Sequence, residues 1–373
     1  MSNTILGLVL LGSALATLAC GQDAPRHLTD PQPIAPPPAF PPEPPAVDPA
    51  AIAFIPRFEQ RLPARPQGIA ITPDGRNVVV TSFETGLVQL REAEGYTLLR
   101  EEGIFNVRGP WGLAISHDGR IALGSSRPGI LTAFSLSGLE TLYQLSIRTR
   151  MLIRSGRVFF GSGHVSGQSV VFQLTADGTI VAQYPIGNGD NNRFTLSIDD
   201  RLVLAVDALK RLHVLDARTL APERVLPLVV NFSIWLVIPL RAPNKVLLLG
   251  GDENGPAGSV VDYVTGDVAP TQLLAADPKY PWLEYGYGNP WVSIGNDITV
   301  VTTRQGFILV NERTGRLERL EINVPTLDEA NWCCEVAYDL HRDRLLVVNE
   351  RFESFTHIFY GRLIAYDIVR NGR

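Results

Sequence analysis

Cysteine is scarce: three residues in 373, at 20, 333 and 334. That excludes a disulfide-stapled scaffold. No Cys-x-x-Cys-His occurs, so covalent haem attachment is excluded, and there is no P-loop. The six His include no pair at metal-ligand spacing. Gly161-Ser162-Gly163-His164 lacks the strand-to-helix context of a dinucleotide fingerprint and reads as a loop between strands. Lysine is rarer than arginine by tenfold, with three Lys against 30 Arg, yet the net charge is −5. A general nucleic-acid binder is therefore not expected. Long apolar runs are also few. The longest, Ile5–Ala19, is too short to span a bilayer comfortably. Hydrophobic residues still make up 45% of the chain, enough for a large core.

The amino-terminal run ends in small residues and then Cys20, as the apolar region of a secretory signal does. Thr17-Leu18-Ala19-Cys20-Gly21 resembles the lipobox of bacterial lipoproteins. Thr17 stands where that family usually has Leu, and the leader has no Lys or Arg. The resemblance implies a lipoprotein signal over 1–20 that is cut before Cys20, lipidation of Cys20 as the new amino terminus and attachment to a lipid bilayer. Gly21 rather than Asp after the Cys implies the outer membrane. Ordinary signal cleavage near Ala16 or Ala19 is the alternative. Residues 21–50 hold 11 of the 28 prolines. Such a segment forms neither helix nor ladder and is expected to be a disordered, extended stalk. At about 3.1 Å per residue it would reach roughly 90 Å.

From residue 51 the chain repeats itself. Arg65-Pro66-Gln67-Gly68-Ile69-Ala70-Ile71-Thr72-Pro73-Asp74-Gly75-Arg76 returns as Arg108-Gly109-Pro110-Trp111-Gly112-Leu113-Ala114-Ile115-Ser116-His117-Asp118-Gly119-Arg120. Weaker copies place turns near 73, 117, 154, 198, 242, 294 and 341, about every 45 residues. That is the period of a four-stranded propeller blade. The expected fold is all-β: a seven-bladed β-propeller of four-stranded antiparallel blades over 51–373. The last unit lacks its outer strand. Ala53–Gln60, the remaining strand-like run, is expected to supply it and close the ring. Regular alternation there would put Ile52, Phe54, Pro56 and Phe58 on one face. The turns, together with Val214-Leu215-Asp216-Ala217-Arg218-Thr219, resemble bacterial YVTN-type (YncE-like) propellers. That family includes binding scaffolds and lactonases.

Links into the inner strands and loops after the second strands should share one face. They supply Arg108, Trp111, Arg193, Trp291, Arg304, Trp332 and Glu350 as ligand-binding candidates. Arginine forks and indoles suit an anionic or carbohydrate ligand, and an envelope protein is the other expected partner. Mutual pairing around a water-filled channel is the plainer alternative. Glu84, Asn192, Asp207 and Asp252 are the candidate ligands if a divalent metal binds, but no diagnostic spacing supports them, and no cofactor is expected. Cys333 and Cys334 are adjacent. In an oxidising compartment they would pair with each other or stay as thiols. The leading expectation is a lipid-anchored binding or scaffold module of the cell envelope, with no enzyme activity assigned. The alternative is a metal-dependent lactonase-like hydrolase.

Overall fold

The computed structural model describes residues 51–373, except 63–64, 106–110, 127–128, 188–192, 253–254, 275–289, 304–305, 322–334, 354–357 and 371–373. At 111, 150, 252, 319–321, 350–353 and 358–359 it describes the backbone alone. The strands form seven four-stranded sheets, every neighbour pair antiparallel. The inner strands are Pro66–Ile71, Trp111–Ile115, Ile147–Ser155, Arg193–Leu196, Ser233–Pro239, Trp291–Ser293 and Glu335–Asp339. They define blades 1 to 7. The chain is a seven-bladed β-propeller. Hydrophobic clusters lie between neighbouring blades. Val79, Leu113 and Phe134, for example, pack blade 1 on blade 2. Each blade thus buries both faces, which explains apolar runs such as Lys245–Asp252 (KVLLLGGD) where a one-sided strand would alternate.

Local chemistry explains why the repeat turns are so legible. Thr72 Oγ1 donates to Asp74 Oδ1 at 2.6 Å, and the amides of Arg76 and Asn77 donate to Asp74 Oδ1 and Thr72 Oγ1. Ser116–Asp118 and Ser197–Asp199 repeat the arrangement at 2.6 Å. Two short side chains therefore satisfy the donors of a tight turn. Gly75 completes the first such turn at φ +67°. A Cβ there would lie 2.0 Å from His341 Cδ2 of blade 7. Arg342 donates to the Gly75 carbonyl at 2.7 Å and to Glu94 at 2.9 Å, so blade 7 clasps blade 1 at this turn.

These turns make stability depend on acid. Hydroxyl hydrogen bonds hold the Asp74, Asp118, Asp177 and Asp216 carboxyls below the usual range, and the Lys245 ammonium does so for Asp262. Unfolding restores the ordinary value near 4. A carboxyl depressed in the folded state stabilises it above the unfolded pKa, and that contribution is lost as pH falls through the folded value. Urea midpoints are therefore expected to drop steadily as pH is lowered from about 5 to about 2. A flat profile over that range would contradict the assignment.

The amino-terminal strand closes the ring. Ile52–Leu62 pairs antiparallel with Ile358–Arg370 as the outer strand of blade 7, from Ile52 opposite Arg370 to Leu62 opposite Gly361. Its facing pattern differs from regular alternation. The register shifts between Pro56 and Phe58, leaving Arg57 as an extra residue. A bulge of one residue exchanges the two faces beyond it. Ile52 and Phe54 accordingly pack on blade 6, where Phe54 meets Phe307 edge-on at 5.0 Å. Phe58 and Leu62 pack on blade 1 instead, with Phe58 and Tyr96 rings 4.7 Å apart. One strand thus grips both neighbours of the blade it completes.

A second expectation is corrected. Gly161-Ser162-Gly163-His164 is not a loop; all four residues lie within the strand Val158–Val165. The glycines answer a packing need. A Cβ on Gly161 would meet the Phe172 ring at 2.3 Å, and one on Gly163 the Arg148 carbonyl at 1.8 Å.

Candidate functional site

Antiparallel pairing brings the start of each inner strand beside the end of the second strand. Trp111 and Arg193 open the inner strands of blades 2 and 4, opposite Ser125 and Val206. Asp252 and Glu350, opposite Gly255 and Gly361, lie towards the same ends of blades 5 and 7. Glu84 and Asp207 follow the second strands of blades 1 and 4. Topology therefore puts these residues on one face. Cys20, Arg108, Asn192, Arg304, Trp332, Cys333 and Cys334 lie outside the described residues. For Trp111, Asp252 and Glu350 only the backbone is described.

Two of the candidate carboxylates already hold cations of their own blade. Arg65 Nη1 donates to Glu84 Oε1 at 3.3 Å. Asp207 is buried, and its Oδ2 accepts from Arg211 Nε at 2.7 Å and lies 3.1 Å from His213 Nε2. Its Oδ1 accepts from the amides of Leu209 and Arg211, both at 2.9 Å. Burial alone would raise the Asp207 pKa; the hydrogen bonds from Arg211 and His213 outweigh it and hold the group below the usual range. An ionised Asp207 only accepts, so His213 carries its proton on Nε2. The other ring nitrogen, Nδ1, pairs with the Tyr184 hydroxyl of blade 3 at 3.3 Å. This chain of contacts latches blade 3 to blade 4. Glu84 and Asp207 stand three blades apart, and among the described residues no three His, Cys, Asp or Glu are grouped to hold a metal.

The opposite end of the axis holds a cavity of about 470 Å³. Six blades wall it with residues at or near the ends of their inner strands: Ala70 and Ile71, Ala114 and Ile115, Ile153, Ser197, Val292 and Ser293, Ala337 and Tyr338. Pro239 of blade 5 joins them at the rim with Pro73, Arg154, Ile198 and Asp200. Trp291 lies deepest in blade 6. It pairs with Val301, two residues short of the end of Ile298–Thr303. Its side chain packs on the interface of blades 5 and 6 and also on that of blades 3 and 4, across the axis. The indole thus spans the channel and floors a cup. Among the described residues, Trp291 is the one sequence-derived ligand candidate that lines this cavity. Below the rim the remaining described walls are apolar and hydroxyl residues such as Ala114, Ile115, Met151 and Tyr338, which carry no chemical signature in a sequence.

No family model matches this chain, and no curated protein does either. Solved structures do. The β-propeller domain of Cps50 (Swd1) from Myceliophteria thermophila superposes with a TM-score of 0.61 over 85% of this chain and 100% of its own, at 13% identity. In all, 1644 solved chains match, and a likeness so widely shared identifies an architecture rather than a chemistry.

Proposed function

We propose that this chain is an exported, lipid-anchored β-propeller that acts as a binding or scaffold module of the cell envelope, at the outer membrane. The observation that carries the binding role is the axial cup. It is within the size range of small-molecule sites and is walled by backbone that seven interlocked blades hold rigid. A rigid wall binds without the entropic cost of ordering loops. The anchoring role is supported by the sequence before residue 51: an apolar leader, a Cys after Leu-Ala, and a proline-rich spacer. Acyl chains contribute about 0.8 kcal/mol per buried methylene, and two chains suffice for stable attachment.

Extraction of the full chain from native membranes, with mass spectrometry of what co-purifies, tests the binding role. A protein partner or small ligand retained in stoichiometric amount is expected; repeated recovery of the bare chain would contradict it. Cys20→Ser is expected to move the protein from the membrane pellet to the wash without lowering its melting temperature. Retention of this variant in detergent-free membranes would show that something other than a lipid holds it.

A further inference from the structure

The axial cup also indicates what kind of molecule it takes; this step rests on the binding role just proposed. Two charged residues line it among those described, Arg154 and Asp200, and both stand at the mouth. Each is engaged locally: Arg154 Nη1 donates to His117 Nδ1 at 3.1 Å, and Asp200 Oδ2 accepts from Ser155 Oγ at 2.7 Å. Below them the described walls carry no charge. An ionic ligand drawn into the cup would lose its hydration without a counter-charge, which is strongly unfavourable. The ligand is therefore neutral.

It is not simply oily. Each inner strand pairs only with the second strand of its own blade, so its other edge has no strand partner. Along the axis those edges present peptide N–H and C=O groups, which require hydrogen bonds. Exposed Ser293 adds a hydroxyl. Between these polar groups stand Ala70, Ala114, Ile153, Val292 and the Trp291 indole. The rim adds apolar surface beside Arg154 and Asp200. Pro73 and Ile198 occupy the same place in two of the Thr/Ser-x-Asp turns, the one position that the hydroxyl–carboxylate bonds leave free, and Ile198 is 49% exposed. A wall that interleaves peptide groups with hydrocarbon and one indole matches a molecule that interleaves hydroxyls with C–H faces. We propose that the cup binds a neutral carbohydrate, one or two sugar rings in size, with Trp291 at the inner end and Ile198 and Ser293 at the mouth.

The test is calorimetric titration of the full-length chain in a detergent without a sugar headgroup. The probes are maltose, glucuronate and hexanol, one each for neutral sugar, charged sugar and apolar alcohol. Saturable binding of maltose alone is expected. Ser293→Phe should weaken it about tenfold or more by filling the mouth. Ser293 is exposed, so the variant should melt where the parent does. Ile198→Arg, at a second exposed position, should weaken maltose in the same direction. Three results would overturn the proposal: no maltose binding, maltose binding untouched by both variants, or glucuronate or hexanol taken up in its place. Any of these would leave the envelope-binding role standing if membrane extraction still recovers a partner. A bare chain from extraction that nevertheless binds maltose at this site would sink the physiological reading alone.

Discussion

A chain that begins at residue 63 is expected to lose cooperative unfolding and to aggregate, whereas one that begins at residue 51 should behave as the full-length protein does. The difference is the strand Ile52–Leu62. Four of its side chains, Ile52, Phe54, Phe58 and Leu62, are wholly or largely buried against blades 6 and 1. At about 1.5–3 kcal/mol each, their removal costs on the order of 6–12 kcal/mol. That is comparable to the entire stability of an ordinary domain. The loss would also expose ten ladder positions along Ile358–Arg370, an unprotected edge open to pairing with other chains. Circular dichroism melts and size-exclusion profiles of the two truncations decide the matter. A monomeric, sharply melting product from residue 63 would show that the ring closes without this strand. The bulge refines the expectation. Phe54→Ala and Phe58→Ala should each cost about 3–5 kcal/mol. They should add with little coupling, although four residues apart, because they fill different interfaces.

The contrast between these phenylalanines shows what a single sequence can and cannot carry. The turns are legible because their chemistry is local: Thr72, Asp74 and Gly75 satisfy one another within a few residues. The blade count follows from those turns, and the missing seventh outer strand follows from the count. The bulge has no such signature. Pro56-Arg57-Phe58 contains no glycine, and the extra residue is set by how the strand must twist to reach two neighbours. Trp291 is a similar case. Its place at the start of an inner strand is readable, but its reach across the axis to the cluster of Met151 and Leu196 joins residues far away in sequence. The glycines of Val158–Val165 are legible only in retrospect, through Phe172 and Arg148.

Asp207→Ala is the substitution expected to do most damage among the site candidates, and the reason is structural. Removing the carboxylate strands the Nε2 proton of His213, which is buried and has no route to water. An unsatisfied buried donor costs about 1–3 kcal/mol. The charge-assisted bonds from Arg211 go too, but its side chain is 41% exposed and can rehydrate, so they contribute less. The amides of Leu209 and Arg211 lose their acceptor in the same turn. Together these losses come to about 2–4 kcal/mol. The urea midpoint should fall with an unchanged slope. Replacing Asp207 and His213 together by apolar residues should recover part of the loss, because the buried imidazole donor goes with its carboxylate, although the amides of Leu209 and Arg211 still lose their acceptor. A divalent-metal role for Asp207 makes a different forecast. The parent would be stabilised by added Ca²⁺ or Zn²⁺, and Asp207→Ala would abolish that response. A latch between blades 3 and 4 instead requires that added metal leave the parent midpoint where it is, while the His213→Leu, Asp207→Leu pair outlasts Asp207→Ala in urea.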